Sequence, residues 1–312
     1  MMIRDTILKE FVRNGYSVKD KKRTWHINNP SLLFLTPELA RNFLNLKSFK
    51  VYRANVVGKE LSLIKSNSQR IRKTVGREPF NLIDLRCVDG ERAHLFIENI
   101  DEKAKIRYCP IGTHPTLGKE AASHLKKQNF KNVVKYKVET TNFEKMADVP
   151  GTLRSSDFQK NVILLLGSTL ALFDINDFLF NLSRQMFKRD LLVIGNGVRH
   201  GKRLVNLSTY KDESFDKWFV HLMKEIGFKD GEVRYDARFG KLRVECFYEV
   251  LVDKTIKHQG KDIEFKRGDE IIVATIYKYF ESEIKKFCKM YFSKVEFLRD
   301  EDEEYALILC QR

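Results

Sequence analysis

The chain has 312 residues, 43% of them hydrophobic, and a formal net charge of +15, which suits one large domain or two interlocked ones. Its apolar runs, such as Val162–Leu166, are far shorter than the roughly 20 residues of a membrane span, which excludes membrane-spanning classes. Its seven histidines and five cysteines lack HxxxH and CxxC spacing, so we predict no metal site and expect buried thiols in a reducing compartment.

The N-terminal quarter is the most basic part of the chain. Residues 1–75 hold 16 Lys and Arg against 5 Asp and Glu, so +11 of the +15 lies here. A basic surface with an exposed aromatic side chain can follow a phosphate backbone, and the alternative is a solvated basic face. The predicted contacts with RNA or an acidic protein are Lys19, Lys21, Lys22, Arg23 and Trp25. Because no signal-peptide apolar block opens the chain, we expect a cytoplasmic protein, with a mitochondrial one as the alternative.

From residue 81 to residue 195, short apolar runs alternate with helical stretches. This alternation is typical of βαβ units and predicts a parallel sheet. The predicted strands are Asn81–Leu85, Ile106–Ile111, Asn132–Val138, Asn161–Leu166 and Leu191–Gly195, and the predicted helices are Glu91–Asn99, Thr116–Lys127 and Ile175–Phe187.

After residue 198 the pattern changes to a region with its own small sheet. A helix is predicted at Ser214–Ile226, closed by Gly227. Two strands, Arg243–Val252 and Asp262–Phe265, are predicted to form a hairpin through the turn at residues 258–261. A helix from Ile271 to Tyr291 and a final hairpin of Val295–Leu298 and Tyr305–Leu309 complete the chain.

The sequence LIDLRCVDGE, residues 82–91, resembles the first loop of a nucleotide-type α/β fold. Loops of this kind that hold S-adenosylmethionine (SAM) read D/E-L-G-x-G-x-G, since glycines let the ligand lie against bare backbone. Asp84 and Gly90 fit this pattern, but Arg86 and Val88 occupy the first two glycine positions. Arg86 would bring a positive charge beside the cationic sulfonium, unless it points to solvent.

Further segments in the same order resemble the histidine-specific, SAM-dependent methyltransferases, which include the Nα-methyltransferase of ergothioneine synthesis and the dimethylallyltryptophan N-methyltransferases. The segments are LLGSTLALF (165–173) for F-L-G-S-T-x-G-N-F, LVIGNG (192–197) for L-L-I-G-x-D, TYKD (209–212) for A-Y-x-D, KRGDE through KY (266–279), and YALIL (305–309). The resemblance implies a Rossmann-like class I methyltransferase fold, with a seven-stranded, mostly parallel sheet and a smaller α+β lid or substrate domain.

The implied domains are a basic N-terminal segment that is part of the lid or substrate domain (residues 1–75), the Rossmann-like core (76–197), an inserted α+β lid or substrate domain (198–276) and the completion of the core (277–312). The resemblance also implies where ligands would be held. The cofactor positions are Asp84, Arg86, Val88, Gly90, Gly112, Asn142, Gly167 and Ser168, and the substrate positions are Tyr52, Leu172, Tyr210, Asp212, Ala274 and Ile276.

Several of these positions lack the side chain that the family uses. Gly112 replaces the carboxylate that receives the ribose hydroxyls, and Asn142 replaces the aspartate that meets the adenine amino group. Leu172 replaces the asparagine that holds the substrate carboxylate, while Ala274 and Ile276 replace the glutamate and serine that grip its other end. Each loss that strands a partner group costs on the order of 1–3 kcal/mol, so both sites are predicted to be degenerate.

The leading hypothesis is therefore a methyltransferase-like protein that needs no cofactor and serves as a non-catalytic binding or assembly subunit. One alternative is an active SAM-dependent methyltransferase with a remodelled pocket and an unidentified N-nucleophile or macromolecular acceptor. Tyr210, Asp212 and Asn142 would then be its best remaining pocket groups. A second alternative is an RNA-associated structural subunit.

Overall fold

The structure is a computed structural model that describes residues 3–46, 49–199, 207–240 and 242–312. The start of the predicted inserted domain, residues 200–206, lies outside the described residues. The chain divides into two compact units. The first unit comprises Met1–Val51 and Asn206–Tyr277, and the second comprises Tyr52–Val205 and Lys278–Arg312.

The strands and helices of the described chain are numbered in chain order. The strands are β1 (Tyr16–Lys19), β2 (Lys22–His26), β3 (Phe80–Leu85), β4 (Ile106–Gly112), β5 (Val133–Tyr136), β6 (Glu139–Thr140), β7 (Lys160–Leu165), β8 (Leu191–Gly197), β9 (Val233–Gly240), β10 (Arg243–Val250), β11 (Lys254–His258), β12 (Lys261–Phe265), β13 (Glu270–Tyr277), β14 (Lys294–Arg299) and β15 (Tyr305–Gln311). The α-helices are α1 (Ile3–Asn14), α2 (Pro37–Leu46), α3 (Lys50–Tyr52), α4 (Lys59–Ser66), α5 (Ser68–Val75), α6 (Glu91–Glu98), α7 (Pro115–Gln128), α8 (Val149–Thr152), α9 (Ile175–Arg184), α10 (Leu207–Lys211), α11 (Glu213–Ile226) and α12 (Glu281–Tyr291).

The second unit is built on one sheet with the strand order β14-β15-β8-β7-β3-β4-β5, and the two-residue β6 pairs with β4. The neighbours from β8 to β5 run parallel, while β15 runs antiparallel to β8 and β14 antiparallel to β15. This arrangement confirms the predicted α/β fold with a mostly parallel, Rossmann-like sheet. Because the strands are parallel, the loops after β3, β4, β7 and β8 meet at one edge of the sheet.

The core of the second unit lies on both faces of this sheet. Every residue of β3 is buried, and so are all residues of β15 except the last, as expected for strands covered by helices on both sides. The helices α4 and α5 also contribute to this core. The apolar side chains of each helix lie on one side and pack into it. Residues 52–75 are therefore part of the second unit, whereas the sequence analysis drew its first boundary after residue 75.

The first unit contains a five-stranded sheet of order β1-β2-β13-β10-β9 and a separate hairpin of β11 and β12. The predicted hairpin partner was wrong: β12 pairs with β11, whereas β10 pairs with β9 and β13. The prediction of a helix from Ile271 was also wrong in its first half, because residues 270–277 form β13 and α12 begins at Glu281. Consecutive β-branched residues that are buried on both faces favour a strand here.

No helix in residues 3–46, 49–199, 207–240 or 242–312 is long and apolar enough to cross a membrane. All five cysteines are buried free thiols, as the sequence analysis predicted. The reducing compartment stays a prediction.

Candidate functional site

The loop after β3 keeps the shape of a glycine loop although it carries other residues. Arg86 adopts a left-handed conformation with φ of 56°, a region that favours glycine. Gly90 has φ of 81° and directly precedes α6. A Cβ atom at Gly90 would lie 2.8 Å from the carbonyl oxygen of Ala121, so α7 packs too closely for any side chain here. The turn from strand to helix has therefore been retained.

The side chain of Arg86 lies inside the protein and not in solvent. The residue is 7% exposed, and its Nη1 donates a hydrogen bond to Oγ1 of Thr169 at 3.3 Å. Thr169 follows β7, the neighbour of β3 in the sheet. Burial lowers the pKa of Arg86 to about 10, so the guanidinium remains charged at neutral pH. The interpretation that Arg86 points to solvent is therefore wrong.

A buried carboxylate lies near this arginine. Glu60 on α4 is 0% exposed, and its carboxylate pairs with Nε of Arg92 on α6. Its Oε1 atom also accepts hydrogen bonds from the hydroxyl of Tyr305 at 2.7 Å and from the backbone N–H of Gly167 at 2.8 Å. We refer to Glu60, Arg86, Arg92 and Tyr305 as the charged cluster.

The pKa values in the charged cluster are shifted because its groups are buried away from water. Burial raises the pKa of Tyr305, and the neighbouring Glu60 raises it further, so the phenol is neutral and donates to the carboxylate. Burial alone would lower the pKa of Arg92, but Glu60 outweighs this effect and raises it above its usual range. The cluster thus holds two guanidinium cations against one carboxylate.

The charged cluster occupies the space that glycines leave at the carboxyl ends of the strands. A Cβ atom at Gly195, in β8, would lie 1.8 Å from Oε1 of Glu60. A Cβ atom at Gly167 would lie 3.3 Å from the guanidinium carbon of Arg92. In this chain, side chains from α4 and α6 fill the room that these two glycines provide.

The cavity beside the loop is correspondingly small. It is lined by Asp84, Leu85, Arg86, Val88, Asp89, Gly90, Arg92 and Leu166, and its volume is about 10 Å³. Binding sites for small molecules measure roughly 300–1,000 Å³, and a space of about 10–15 Å³ holds a single water. This cavity is therefore far smaller than a site for a small molecule.

The other predicted cofactor positions have structural roles. Gly112 ends β4 in a turn so tight that a Cβ atom would lie 2.8 Å from the carbonyl oxygen of His114. The exposed Asn142 uses its Oδ1 to accept a hydrogen bond from the backbone of Lys145 at 3.0 Å. Oγ of Ser168 accepts one from the backbone of Gly197 at 3.0 Å. Asp84 is buried, and the hydroxyl of Tyr108 donates to it at 2.9 Å.

The predicted substrate positions are distributed over both units. Tyr52 and Leu172 lie in the second unit, and the other four lie in the first. Asp212 caps α11 by accepting a hydrogen bond from the backbone of Ser214 at 3.0 Å, which is a structural role.

The remaining three substrate positions of the first unit are largely buried within it. The ring of Tyr210 packs against another aromatic ring, and its carbonyl oxygen accepts a hydrogen bond from the hydroxyl of Tyr235 at 2.7 Å. Ala274 is 2% exposed and is paired with Cys246, and Ile276 is paired with Val244. Tyr210 and Ala274 are buried, whereas Ile276 is partly exposed.

The predicted RNA-binding residues lie on the hairpin of β1 and β2 in the first unit. The prediction of an exposed tryptophan was wrong: Trp25 is 5% exposed, and its Nε1 donates to Asp269 at 3.0 Å. Lys22 pairs with Glu270 at 2.7 Å, and Arg23 pairs with Asp269 at 3.3 Å. This hairpin is therefore partly neutralised by the sheet that carries it.

Lys19 and Lys21 remain exposed at the turn of this hairpin, without an ion pair among the described residues. No group of three or more His, Cys, Asp or Glu residues in the described part of the chain could hold a metal ion.

The charged cluster is the main feature that the sequence analysis missed. Glu60 and Arg92 belong to no motif, Tyr305 only begins the segment YALIL, and these residues are up to 245 positions apart along the chain. One signal was present: Glu60 follows Val57 by three residues and precedes Ile64 by four, so it lies on the apolar stripe of a helix.

Comparison with known proteins identifies the family. The model of the family described as "Histidine-specific methyltransferase, SAM-dependent" matches residues 52–312. No curated protein matches the chain. The match begins at the first residue of the second unit and also includes residues 206–277 of the first unit.

Several solved structures are similar in fold at low identity. CalS10, a SAM-bound amino pentose methyltransferase from Micromonospora echinaspora, is 12% identical over 85% of this chain and 97% of its own, with a TM-score of 0.42. The PH0226 protein from Pyrococcus horikoshii OT3 is 11% identical over 88% of this chain and 99% of its own, with a TM-score of 0.48. On the match to the family model, the chain belongs to the histidine-specific, SAM-dependent methyltransferase family.

Proposed function

We propose that this chain is a non-catalytic member of its family, which does not bind SAM at the loop after β3 and acts as a binding or assembly subunit. The observation that carries the proposal is the charged cluster, because Glu60 and Arg92 fill the space beside Gly195 and Gly167. The cavity of about 10 Å³ that remains has no room for a nucleoside.

Electrostatics support the same conclusion. The ion pair of Glu60 and Arg92 lies buried beside this loop, and Arg86, Asp84 and Asp89 line the same cavity. Charges in a buried site interact strongly, because the effective dielectric constant is low. A bound sulfonium would have to displace Glu60 or Arg92, and breaking a buried ion pair costs roughly 3–5 kcal/mol.

Calorimetric titration of the protein with SAM and with S-adenosylhomocysteine tests the proposal. We expect no heat of binding up to about millimolar ligand. Micromolar binding of either compound would contradict the proposal.

A second measurement separates the loop from the cluster. The variant Arg86→Gly/Val88→Gly restores the glycine pattern of the family but leaves Glu60 and Arg92 in place. We expect this variant to remain unable to bind SAM. Restored binding would show that the loop residues alone block the site.

The alternative of a remodelled but active pocket finds less support. Asp212 and Asn142, two of its candidate groups, form backbone hydrogen bonds that cap local structure, and Tyr210 is buried. Addition of the protein to a native lysate should not increase the incorporation of labelled methyl groups from SAM.

For the partner, we propose an acidic protein that binds the hairpin of β1 and β2. Lys19 and Lys21 present free charge at its turn, and Val18 and Tyr16 are 62% and 46% exposed beside them. Trp25, the aromatic residue that was predicted to stack on RNA, is buried, and Tyr16 is the exposed ring of this hairpin. The protein should have a higher affinity for polyglutamate than for polyuridylate. The variant Lys19→Glu/Lys21→Glu should abolish this difference in affinity, whereas the control variant Lys286→Glu on α12 should retain it. Equal binding of both polymers would contradict the proposal.

A further inference from the structure

A pocket of about 590 Å³ lies in the second unit at the edge opposite the charged cluster. It is lined by Glu78, Pro79, Ser156, Asp157, Gln159, Lys160, Phe187, Lys188, Arg189 and Asp190. These residues directly precede or begin β3, β7 and β8, so the pocket lies at the amino ends of three neighbouring parallel strands. Its volume is in the range of roughly 300–1,000 Å³ that small-molecule sites occupy.

The pocket contains an aromatic ring held in place but open on one side. Phe187 is 61% exposed, although large apolar side chains are usually buried. Its backbone N–H donates to Asp190 at 2.7 Å, and the guanidinium of Arg154 covers the ring at 3.8 Å from its centre. Arg154 is itself fixed by Asp190 at 2.5 Å. The ring is therefore a rigid platform for a planar group.

Two cations of the pocket, Lys160 and Lys188, form no ion pair with another described residue, although the carboxylates of Glu78 and Asp190 interact with Lys160 at longer range. Asp190 is paired with Arg154, Asp157 with Lys135, and Glu78 with Arg189. Lys188 is exposed and forms no ion pair among the described residues. Lys160 is half-buried, and its ammonium donates to the carbonyl oxygen of Val75 at 2.6 Å, which leaves two of its three protons for a ligand.

We propose that this pocket binds a small aromatic phosphate of the nucleoside monophosphate class. The base would stack on Phe187, and the phosphate would be held by Lys160 and Lys188. Ring and cations lie together in one cavity, which distinguishes this site from a lone exposed aromatic residue or a lone basic patch. The proposal does not depend on whether the loop after β3 binds SAM.

Calorimetry with adenosine monophosphate, adenosine and inorganic phosphate tests the pocket. We expect the monophosphate to bind at least about tenfold more tightly than adenosine or phosphate alone, since both parts contribute. The variant Phe187→Ala should weaken binding by about tenfold, the equivalent of one stacked base. The double variant Lys160→Met/Lys188→Gln should reduce affinity to that of adenosine.

The chain offers a matched control for the ring. Phe180 on α9 is 45% exposed and also lies beside a guanidinium, that of Arg184 at 5.6 Å, but it does not line the pocket. Phe180→Ala should leave the affinity unchanged. The proposal is overturned if the monophosphate does not bind at millimolar concentration, if Phe180→Ala weakens binding as much as Phe187→Ala does, or if inorganic phosphate alone binds equally well.

Discussion

The two edges of the sheet in the second unit have opposite characters. At the carboxyl ends of the strands, where open α/β sheets usually bind their ligands, a cavity of about 10 Å³ adjoins a buried charged cluster. At the amino ends, a pocket of about 590 Å³ combines an exposed ring with two available lysines. Under the proposed function, the scaffold of the family is retained while the edge that usually binds the ligand becomes part of the core. The stability of the protein should therefore depend on the first edge, and ligand binding on the second.

The largest expected effect is that of Glu60→Gln. This change removes the one carboxylate of the charged cluster and leaves Arg92 and Arg86 buried without it, so the free energy of unfolding should fall by roughly 3–5 kcal/mol. Urea denaturation measures the change. Glu98→Gln, at a partly exposed glutamate of α6 paired with His94, is the control and should cost less than about 1 kcal/mol. A similar small cost for Glu60→Gln would mean that the carboxyl edge is open to solvent.

A smaller effect is expected for Gly195→Ala. A new Cβ atom would lie 1.8 Å from Oε1 of Glu60, so the carboxylate must shift, at a cost of about 1–3 kcal/mol for overpacking. Gly240→Ala, at a strand glycine with no neighbouring atom within 4 Å of the new Cβ, serves as the control in the same thermal melts. If Gly195→Ala proves neutral, the space beside β8 is empty and the comparison of the two edges fails.

Arg86→Met should have a weaker effect, of less than about 1.5 kcal/mol in either direction. The buried guanidinium has a pKa lowered to about 10 by desolvation, so its charge is disfavoured in the folded state and an apolar replacement of similar length relieves that penalty. Because this folded pKa lies below the unfolded value, the free energy of unfolding should rise as the pH increases above about 10 in the parent protein. Denaturation of both proteins at several alkaline pH values should show that rise only in the parent. Its presence in Arg86→Met would assign the rise to another group.

The smallest stability effect is expected at the amino edge. Phe187→Ala removes a ring that is 61% exposed, so the free energy of unfolding should change by less than about 0.5 kcal/mol. The same variant is expected to lose nucleotide affinity, as described above. A large loss of stability would make Phe187 a core residue and would contradict the proposed division between the two edges.

Periodicity was sufficient to predict most of the second unit. The alternation of apolar runs and helical stretches between residues 81 and 195 gave β3, β4, β7 and β8 within a few residues, because buried parallel strands are short and apolar. The same rule failed at residues 271–277, where a continuous apolar run fits a helix as well as a strand. Pairing with β10 and β2 makes these residues the strand β13 and not a helix, and the sequence alone does not reveal this pairing.

The candidate site was predictable only in its local part. Arg86 and Val88 stand out in the loop because a motif specifies glycine at their positions. The other members of the charged cluster are contributed by α4, α6 and β15, and no spacing rule connects segments so far apart. Tertiary packing decides which side chains fill the space of a former ligand site, and the sequence does not state that packing. The charged cluster could therefore be identified only from the structure.

Two asparagines in the middle of the second unit's sheet have a consequence for folding. Asn81 in β3 and Asn161 in β7 are directly paired in register, are both 0% exposed, and share a hydrogen bond of 2.8 Å between their side chains. If the register between β3 and β7 shifted by one residue, one side-chain amide would move to the opposite face of the sheet. Both amides would then lie in an apolar environment without each other as hydrogen-bond partners. Apolar strands alone would accept several alignments, so this pair favours the native register between segments that are 80 residues apart.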